Sequence, residues 1–430
     1  MPDATTLLLE GGWVIDATGE RMADVLVSGG RIVSVGSDLD VPVGATVLDA
    51  AGCIVAPGLV DLHTHLRQPG QEEAETVETG ARAAALGGYT AVVAMPNTEP
   101  ALDNAAAVRE VLGLGATAIC DVRVAGAITS GRLGRELAPL GEMADLGVRL
   151  FTDDGNGVQD ARLMRRALEY ASALDVTLAQ HCEDKVLAAG GHMHEGEWSS
   201  RLGVPGQPAE AEEVMVGRDI ALVRLTGGRM HFLHLSTAGS VAAVRAAKAE
   251  GLAVTAEAAP HHFTLTDAAV AGYDTVFKVN PPLRTAADVA AVKAGLADGT
   301  IDAIATDHAP HAAEDKEVPF DQARSGMLGL ETAVALALTQ LELPVGAVLA
   351  LLSWNPARIA GLESTHGGPV AEGRPANLCV IDPAATWVVD PDALASRSRN
   401  TPYAGRKLTG RVRHTVLRGE PVVVDGRAQR

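Results

Sequence analysis

Side chains that can bind metal stand where several apolar runs of this sequence end. The stretch "GLVDLHTHLRQPG" (58–70) ends such a run with two histidines one residue apart. Side chains alternate between the two faces of a strand, so His63 and His65 project to the same side. Similar endings occur in "FTDDG", "AQHCED", "FLHLST" and "ATDHAPH". The candidate ligands are His63, His65, one of Asp153 and Asp154, His181, His234 and Asp307.

Imidazole and carboxylate ligands together favour zinc or a related divalent ion. Six ligands are too many for one tetrahedral zinc, whereas two ions sharing a carboxylate use them all and leave room for a bridging hydroxide. The other histidines are weaker candidates. "HMH" at 192–194 is expected in a loop, His231 opens its strand at the opposite end, and His366 and His414 lie in the terminal region. His261 and His262 suit either support of the ligands or packing.

The elements that must position these residues alternate between strand and helix. Eight apolar runs between about residues 58 and 307 are each followed by an alanine- and leucine-rich stretch with helical spacing. This alternation predicts an α/β fold of the (β/α)₈ TIM type, whose active sites lie at the carboxyl ends of the strands. A doubly wound open sheet is the alternative, but no GxGxxG turn follows any strand. The β-rich ends, 1–56 and 366–430, predict a small composite β-sandwich domain around a catalytic barrel at 57–365.

The composition of the chain argues against some classes of binding partner. The chain has 430 residues, a net charge of −19 and only 3% aromatic residues, and it has no basic stripe. These features argue against a nucleic-acid partner. No apolar run approaches the length of a membrane span, the N-terminus lacks the pattern of a signal peptide, and the four cysteines are scattered. We therefore expect a cytoplasmic protein with a small-molecule substrate and no membrane association.

The motifs resemble those of the amidohydrolase superfamily, and within it the bacterial dihydroorotase family with a two-metal site. The similar stretches, in family order, are "VDLHTHLRQPG", "AMPNTEP", "FTDDGNGVQD", "HCED", "HLSTAGSV", "VTAEAAPHHF", "KVNPPLR" and "ATDHAPH". The resemblance spans essentially the whole chain. It implies two zinc ions per chain: His63, His65 and Asp307 on one, His181 and His234 on the other, and Asp154 as the bridge.

The resemblance also implies the substrate contacts. Arg67 and Asn97 are expected to hold a substrate carboxylate, while Asn280 and His311 touch the ring or its carboxylate. The polar loop 312–326, expected to be mobile, ends in Ser325 and Gly326, whose backbone matches the family's substrate-contacting end. The family further implies a homodimer, with possible association with aspartate transcarbamoylase.

The expected activity is zinc-dependent, reversible hydrolysis of dihydroorotate to N-carbamoyl-L-aspartate, a step of de novo pyrimidine synthesis. A hydroxide between the metals attacks the ring carbonyl, with Asp307 as general base and then general acid. One alternative is a dihydropyrimidinase, hydantoinase or allantoinase, but these typically carry a carboxylated lysine as the bridge, and "FTDDG" has none. The other is a non-catalytic partner of aspartate transcarbamoylase, which would have no need of six retained ligands.

Overall fold

The computed structural model describes residues 6–430, and its strands form a barrel, a nine-stranded sheet and a short two-stranded pair. In chain order the strands are β1 (Thr6–Asp16), β2 (Gly19–Ser28), β3 (Arg31–Gly36), β4 (Thr46–Asp49), β5 (Ile54–Pro57), β6 (Leu59–Thr64), β7 (Tyr89–Ala94), β8 (Asp121–Val124), β9 (Leu150–Thr152), β10 (Thr177–Gln180), β11 (Met193–His194), β12 (Gly206–Gln207), β13 (Met230–Phe232), β14 (Val254–Ala258), β15 (Ala303–Ile304), β16 (Leu378–Val388), β17 (Lys407–Leu417), β18 (Glu420–Val424) and β19 (Arg427–Ala428).

Helices follow most of the barrel strands. The α-helices are α1 (Val77–Leu86), α2 (Ala105–Gly115), α3 (Leu140–Ala144), α4 (Ala161–Leu174), α5 (Glu197–Leu202), α6 (Glu210–Thr226), α7 (Ala238–Ala249), α8 (Pro260–Thr264), α9 (Ala286–Asp298), α10 (Ala313–Lys316), α11 (Ala333–Gln340), α12 (Val345–Leu349) and α13 (Asn355–Ile359). A π-helical turn over Ala350–Trp354 joins α12 to α13, and short 3₁₀ turns cover Ser130–Arg132, Asp267–Gly272, Thr275–Phe277 and Pro391–Ala393. None of the helices within residues 6–430 has both the length and the apolar character needed to span a membrane.

Eight parallel strands close into a barrel. β6, β7 and β8 form one run, and β9, β10, β13, β14 and β15 form the other. Parallel bridges join the runs at both seams, between Gly126 and Phe151 and between Thr64 and His308. The predicted (β/α)₈ barrel is therefore confirmed. β6 and β7 are buried along their whole length, which explains why they read as continuous apolar runs.

Side-chain caps start the helices that surround the barrel. In α1 the Thr76 hydroxyl accepts from the backbone N–H of Thr79, and in α9 Thr285 accepts from Asp288. Asn104 and Asp160 cap α2 and α4 in the same way. A cap satisfies backbone N–H groups that have no partner inside the helix, so these polar residues fix where each crossover helix begins.

The second body is a nine-stranded sheet drawn from both ends of the chain. β5 pairs parallel with β1 on one side and antiparallel with β16 on the other, so the N-terminal and C-terminal strands share one sheet. Its own apolar cluster includes Leu7, Val25 and Val380. Residues 1–5 of the predicted composite domain lie outside the described residues, and the limits at 56/57 and 365/366 remain a prediction.

Candidate active site

The carboxylate of Asp154 lies at the centre of the barrel mouth, surrounded by four histidine rings. Its Oδ1 is 3.5 Å from His63 Nε2, 3.5 Å from His181 Nδ1 and 3.6 Å from His234 Nε2. Its Oδ2 is 3.6 Å from His65 Nε2. One carboxylate thus faces two pairs of histidines, the first pair His63 and His65 and the second pair His181 and His234. This is the position that a bridging ligand requires.

Asp307 completes the arrangement on the side of the first histidine pair. Its Oδ1 is 3.6 Å from His63 Nε2 and 3.3 Å from His65 Nε2. Asp307 and His234 have φ angles of 47° and 31°, in the left-handed region that residues with a Cβ rarely adopt. Such backbone conformations persist where surrounding contacts hold them, and here they aim two candidate ligands into the site. The structure therefore brings all six predicted ligands together.

The neighbouring aspartate points elsewhere. Asp153 Oδ1 accepts from the backbone N–H groups of Ile128 and Thr129, and its Oδ2 accepts from the Thr129 hydroxyl. These bonds occupy its carboxylate outside the histidine cluster. The geometry thus favours Asp154 over Asp153 as the bridge, a choice that the alternation of side chains along the strand leaves open.

Burial and opposite charges act together on the ionisation of the cluster. Burial raises the pKa of Asp154, but His63, His181 and His234 outweigh it and hold the pKa well below its ordinary value. Conversely, burial lowers the pKa of His181, but Asp154 and Glu183 outweigh it and raise the pKa to about 9. The raised pKa of His181 favours its protonated ring, and a cation must displace that proton in order to bind.

The donor set fits a metal. His63 Nε2 and His234 Nδ1 are buried atoms without a hydrogen-bond partner among residues 6–430. Ligand atoms of His63, His65 and Asp307 lie within 4.8 Å of one another, as do those of His63, Asp154 and His234. Buried polar atoms are normally paired, so an unpaired ring nitrogen beside two carboxylates is the feature expected of a metal ligand.

Carboxylate and amide groups outside the predicted ligand set hold the histidine rings. Glu257 Oε1 lies 2.9 Å from His63 Nδ1, and Asn97 Oδ1 lies 2.9 Å from His65 Nδ1. Asn97 was predicted to hold a substrate carboxylate. Its Nδ2 lies 3.4 Å from Asp154 Oδ2, so the structure places it directly against two candidate ligands.

Arg67 and His311 lie together at one side of the cluster. Arg67 is 8% exposed, with φ 60°, and its Nε donates to the carbonyl of Pro310. Its Nη2 is 3.3 Å from His311 Nε2, which is also 2.8 Å from the carbonyl oxygen of Ser325. The arginine, the histidine and the end of the 312–326 loop therefore form one contiguous surface beside the candidate metal ligands.

Asn280 lies on the opposite side, beside the second histidine pair. Its Nδ2 donates to Glu183 Oε2 at 2.6 Å and is 3.4 Å from His181 Nε2. Its Oδ1 is buried and has no partner among residues 6–430. Glu183 thus fixes the amide so that a free acceptor oxygen remains, which suits a ligand that offers an N–H group.

Lysine side chains contact backbone carbonyls of the 312–326 loop in this structure. Lys316 Nζ donates to the carbonyls of Thr275 and Arg324, at 3.0 and 2.7 Å. In return, Lys278 Nζ donates to the carbonyls of Phe320 and Asp321, at 2.8 and 3.0 Å. Two lysines on opposite sides of the contact therefore hold the loop against the segment that leads to Asn280.

One histidine interpretation needs correction. The "HMH" stretch is not only loop, because Met193–His194 forms a short strand with Gly206–Gln207, and His194 Nδ1 faces a guanidinium nitrogen of Arg284. His231, discounted for its place at the start of β13, is fully buried and faces Glu257. His261 Nε2 is 3.8 Å from Asp307 Oδ2 and has no hydrogen-bond partner among residues 6–430, and His262 Nε2 donates to the Pro281 carbonyl.

Three carboxylates near the site were missed by the sequence analysis: Asp61 and Glu257, which are buried, and Glu183, which is partly exposed. Asp61 accepts from the backbone N–H and the hydroxyl of Thr306, and so ties the start of the His63 strand to the residue before Asp307. A signal was available, because Asp61 shares the alternation of His63 and His65, and Glu257 is the one charged residue of β14. A charge inside a buried strand requires a partner.

Sequence comparisons place the chain beside one group of enzymes. A family model described as "Dihydro-orotase-like" matches residues 52–240. A dihydroorotase of Pelotomaculum thermopropionicum is 51% identical over 97% of this chain and 99% of its own length. Dihydroorotases of Anaeromyxobacter dehalogenans and Streptomyces coelicolor are each 50% identical, over 99% and 98% of this chain and 99% of their own lengths.

Solved structures of cyclic amide hydrolases share the fold. L-hydantoinase (dihydropyrimidinase) from Arthrobacter aurescens superimposes with a TM-score of 0.88 and 25% identity, over 100% of this chain and 98% of its own. A dihydropyrimidinase from Brevibacillus agri gives 0.86 and 23%, over 99% and 96%. The similarity to the Brevibacillus agri enzyme, at 23% identity, shows the fold alone. Both similarities agree with a barrel that carries a terminal β domain.

Proposed function

Since the chain belongs to the dihydroorotase family, we propose that its barrel opens dihydroorotate to N-carbamoyl-L-aspartate, and closes it again, with two zinc ions. Relatives that match over nearly the whole chain at about half identity carry this activity in their names. The chain is accordingly a hydrolase that acts on a cyclic amide. The observation that carries the zinc proposal is Asp154, whose carboxylate faces all four histidines at 3.5–3.6 Å.

The ligands divide between two positions. His63, His65 and Asp307 would hold one ion, His181 and His234 the other, and Asp154 would touch both. Bound there, two divalent ions polarise the ring carbonyl and lower the pKa of a water. The unpaired Nε2 of His63 and the carboxylates on either side of it support this assignment.

Arg67 and Asn280 would orient the ring. The Arg67 guanidinium can grip the exocyclic carboxylate in two places, and it supplies local positive charge on an acidic chain. The free Oδ1 of Asn280 would accept from a ring N–H. We propose that Asn97 acts on the same carboxylate through its amide while its Oδ1 holds His65. The backbone of Ser325 and Gly326 would close the site on the side of His311.

Asp307 would move the proton. Burial raises its pKa, but His65 and His63 outweigh burial and hold that pKa well below the ordinary range, so the carboxylate is ionised. Its Oδ2 faces His261 at 3.8 Å, while Oδ1 faces the ligand pair. Asp307 would take a proton from the attacking water and deliver it to the leaving ring nitrogen, as general base and then general acid.

Assembly and location are part of the same proposal. We place the chain in the cytoplasm as a homodimer that can associate with aspartate transcarbamoylase. The four cysteines are buried and free, which fits a reducing compartment. A single monomeric species in light scattering, at concentrations used for assay, would contradict the dimer. Failure to co-purify with the chain's own aspartate transcarbamoylase would contradict the association.

The deciding experiment compares substrates on zinc-loaded protein. We expect turnover of dihydroorotate, and none of dihydrouracil, hydantoin or allantoin, at two zinc ions per chain. Removal of zinc with a chelator should abolish turnover, and re-addition of zinc should restore it. Turnover of an uncharged ring instead would transfer the assignment to the hydantoinase and dihydropyrimidinase group that shares the fold. Two bound zincs without any turnover would indicate a non-catalytic chain.

A further inference from the structure

A buried carboxylate outside the ligand set connects the two halves of the site. Glu257, in β14, is fully buried. Its Oε1 is 2.9 Å from His63 Nδ1, in β6, and its Oε2 is 3.0 Å from His231 Nε2, in β13. His231 Nδ1 in turn lies 2.8 Å from the hydroxyl of Thr255, also in β14. Three strands of the barrel are thus joined by one line of side chains beneath the candidate metal site.

The donors and acceptors along this line have one consistent arrangement. An ionised carboxylate only accepts, so both His63 Nδ1 and His231 Nε2 carry the hydrogen and donate to it. His231 Nδ1 is then an acceptor for the Thr255 hydroxyl. Every polar group of Glu257, His231 and Thr255 is satisfied in this arrangement.

The same carboxylate also braces the second histidine pair. Glu257 Oε1 lies 3.4 Å from the backbone N–H of His234, and its backbone carbonyl accepts from Leu235. His234 is one of the residues with a positive φ, at 31°. One side chain therefore contacts the ring of a ligand for one position and the backbone of a ligand for the other.

We propose that Glu257, held by His231, is a positioning residue that fixes the ring of His63 so that Nε2 is the metal-binding atom. With Nδ1 committed to Glu257, the lone pair of the neutral ring lies on Nε2. That atom has no hydrogen-bond partner among residues 6–430, and it faces Asp154 and Asp307. Outer carboxylates on metal-binding histidines orient the ring and make it more basic. This inference rests on the zinc site of the proposed function.

The barrel contains a matched control for this arrangement. His366 Nε2 is 3.0 Å from Asp121 Oδ2, and His366 Nδ1 is 3.0 Å from the hydroxyl of Thr90. This second line of threonine, histidine and carboxylate is also buried, but it touches none of the candidate ligands. Loss of its carboxylate should cost stability without changing the binding of zinc.

The test measures zinc affinity by competition with a chelator for Glu257→Gln, Asp121→Asn and the unchanged chain, alongside zinc per chain and denaturant unfolding. We expect Glu257→Gln to weaken zinc binding about 10- to 100-fold, the range found when such outer partners are removed. Asp121→Asn should unfold more easily and bind zinc as the unchanged chain does. Zinc affinity within twofold of the unchanged chain in Glu257→Gln, or an equal loss in Asp121→Asn, would overturn the positioning role.

A second variant covers the case in which Glu257→Gln fails to fold. His231→Phe removes the donor to Glu257 Oε2 and leaves the contact between Glu257 and His63. We therefore expect zinc affinity to fall by about threefold or more, but by less than the 10- to 100-fold loss expected for Glu257→Gln. Unchanged affinity in a folded His231→Phe chain would also overturn the role. If the unchanged chain turns over dihydroorotate with two zincs, unchanged zinc affinity in the variants contradicts only the positioning role of Glu257. If the unchanged chain binds no zinc, the proposed function itself is contradicted.

Discussion

The Nε2 atom of His311 lies between a donor and an acceptor and can satisfy only one of them. It is 3.3 Å from Arg67 Nη2 and 2.8 Å from the carbonyl oxygen of Ser325. Burial, together with the Arg67 charge, lowers the pKa of His311 to about 2, so the ring is neutral. If Nε2 carries the hydrogen and donates to Ser325, one N–H of Arg67 is left for another partner. A bound carboxylate would supply that partner.

Arg67→Lys should therefore weaken the recognition of dihydroorotate. A lysine ammonium cannot grip a carboxylate in two places, nor keep the Nε contact with Pro310. Loss of a hydrogen bond to a charged group costs about 1.5–3 kcal/mol. We expect KM to rise by about 10- to 100-fold in steady-state kinetics, with a smaller change in kcat. Arg324→Lys is the control, because Arg324 lies on the 312–326 loop and its side chain is 73% exposed. This substitution should leave KM unchanged.

Asp307→Ala should separate proton transfer from metal binding. The second position keeps its histidine pair and Asp154, so we expect zinc to remain largely bound when it is counted per chain. Because general acid–base catalysis typically contributes about 10²- to 10⁴-fold, kcat should fall by at least about 100-fold. A variant with near-normal turnover would remove Asp307 from the mechanism.

Gly326→Ala should damage the site more than the fold. Gly326 has φ 148°, and a Cβ there would come within 2.7 Å of both His311 Nε2 and the Ala309 side chain. We expect kcat/KM to fall by about tenfold or more, since small displacements of positioning groups are costly. Gly299→Ala is the control, because Gly299 also has a positive φ, of 79°, but nothing lies within 4 Å of the added Cβ. It should cost about 1 kcal/mol of stability and leave kinetics unchanged. Equal kinetic losses in both variants would contradict the local role of Gly326.

The metal-free chain should lose stability on acidification through His262. Burial lowers the pKa of this ring to about 3, and its Nε2 donates to the Pro281 carbonyl. Below pH about 6.5 the unfolded chain takes up a proton that the folded chain does not, so this contribution is present above that pH and is lost as pH falls. The slope is at most about 1.4 kcal/mol per pH unit. His262→Gln keeps an N–H donor but does not titrate.

Denaturant unfolding at pH 7.5 and 5.5 checks this expectation. The chain with His262 should be the more stable at pH 7.5, and its advantage over His262→Gln should shrink at pH 5.5. Parallel stability profiles for the two chains would show that His262 does not titrate differently in the folded and unfolded states.

The parts of the site that follow strand periodicity could be predicted, and those that depend on contacts between strands could not. His63 and His65 were found because they end an apolar run with the right alternation. Glu257 was missed because its partner His63 is 194 residues away in the sequence. The choice between Asp153 and Asp154 needed the contact of Asp153 with Thr129, in the segment that follows β8. Pairing between strands is decided by the closed barrel, which no local pattern describes.

The sheet shared by both ends has a consequence for synthesis of the chain. β5 (Ile54–Pro57) pairs with β16 (Leu378–Val388), so β5 has no partner on that side until a strand more than three hundred residues later has been translated. Until then its backbone edge is unpaired, and unpaired edges recruit other strands. A growing polypeptide can complete the barrel strands on the ribosome but not this sheet. A product that terminates before β16 therefore keeps an unpaired strand edge at β5, which quality-control machinery can recognise.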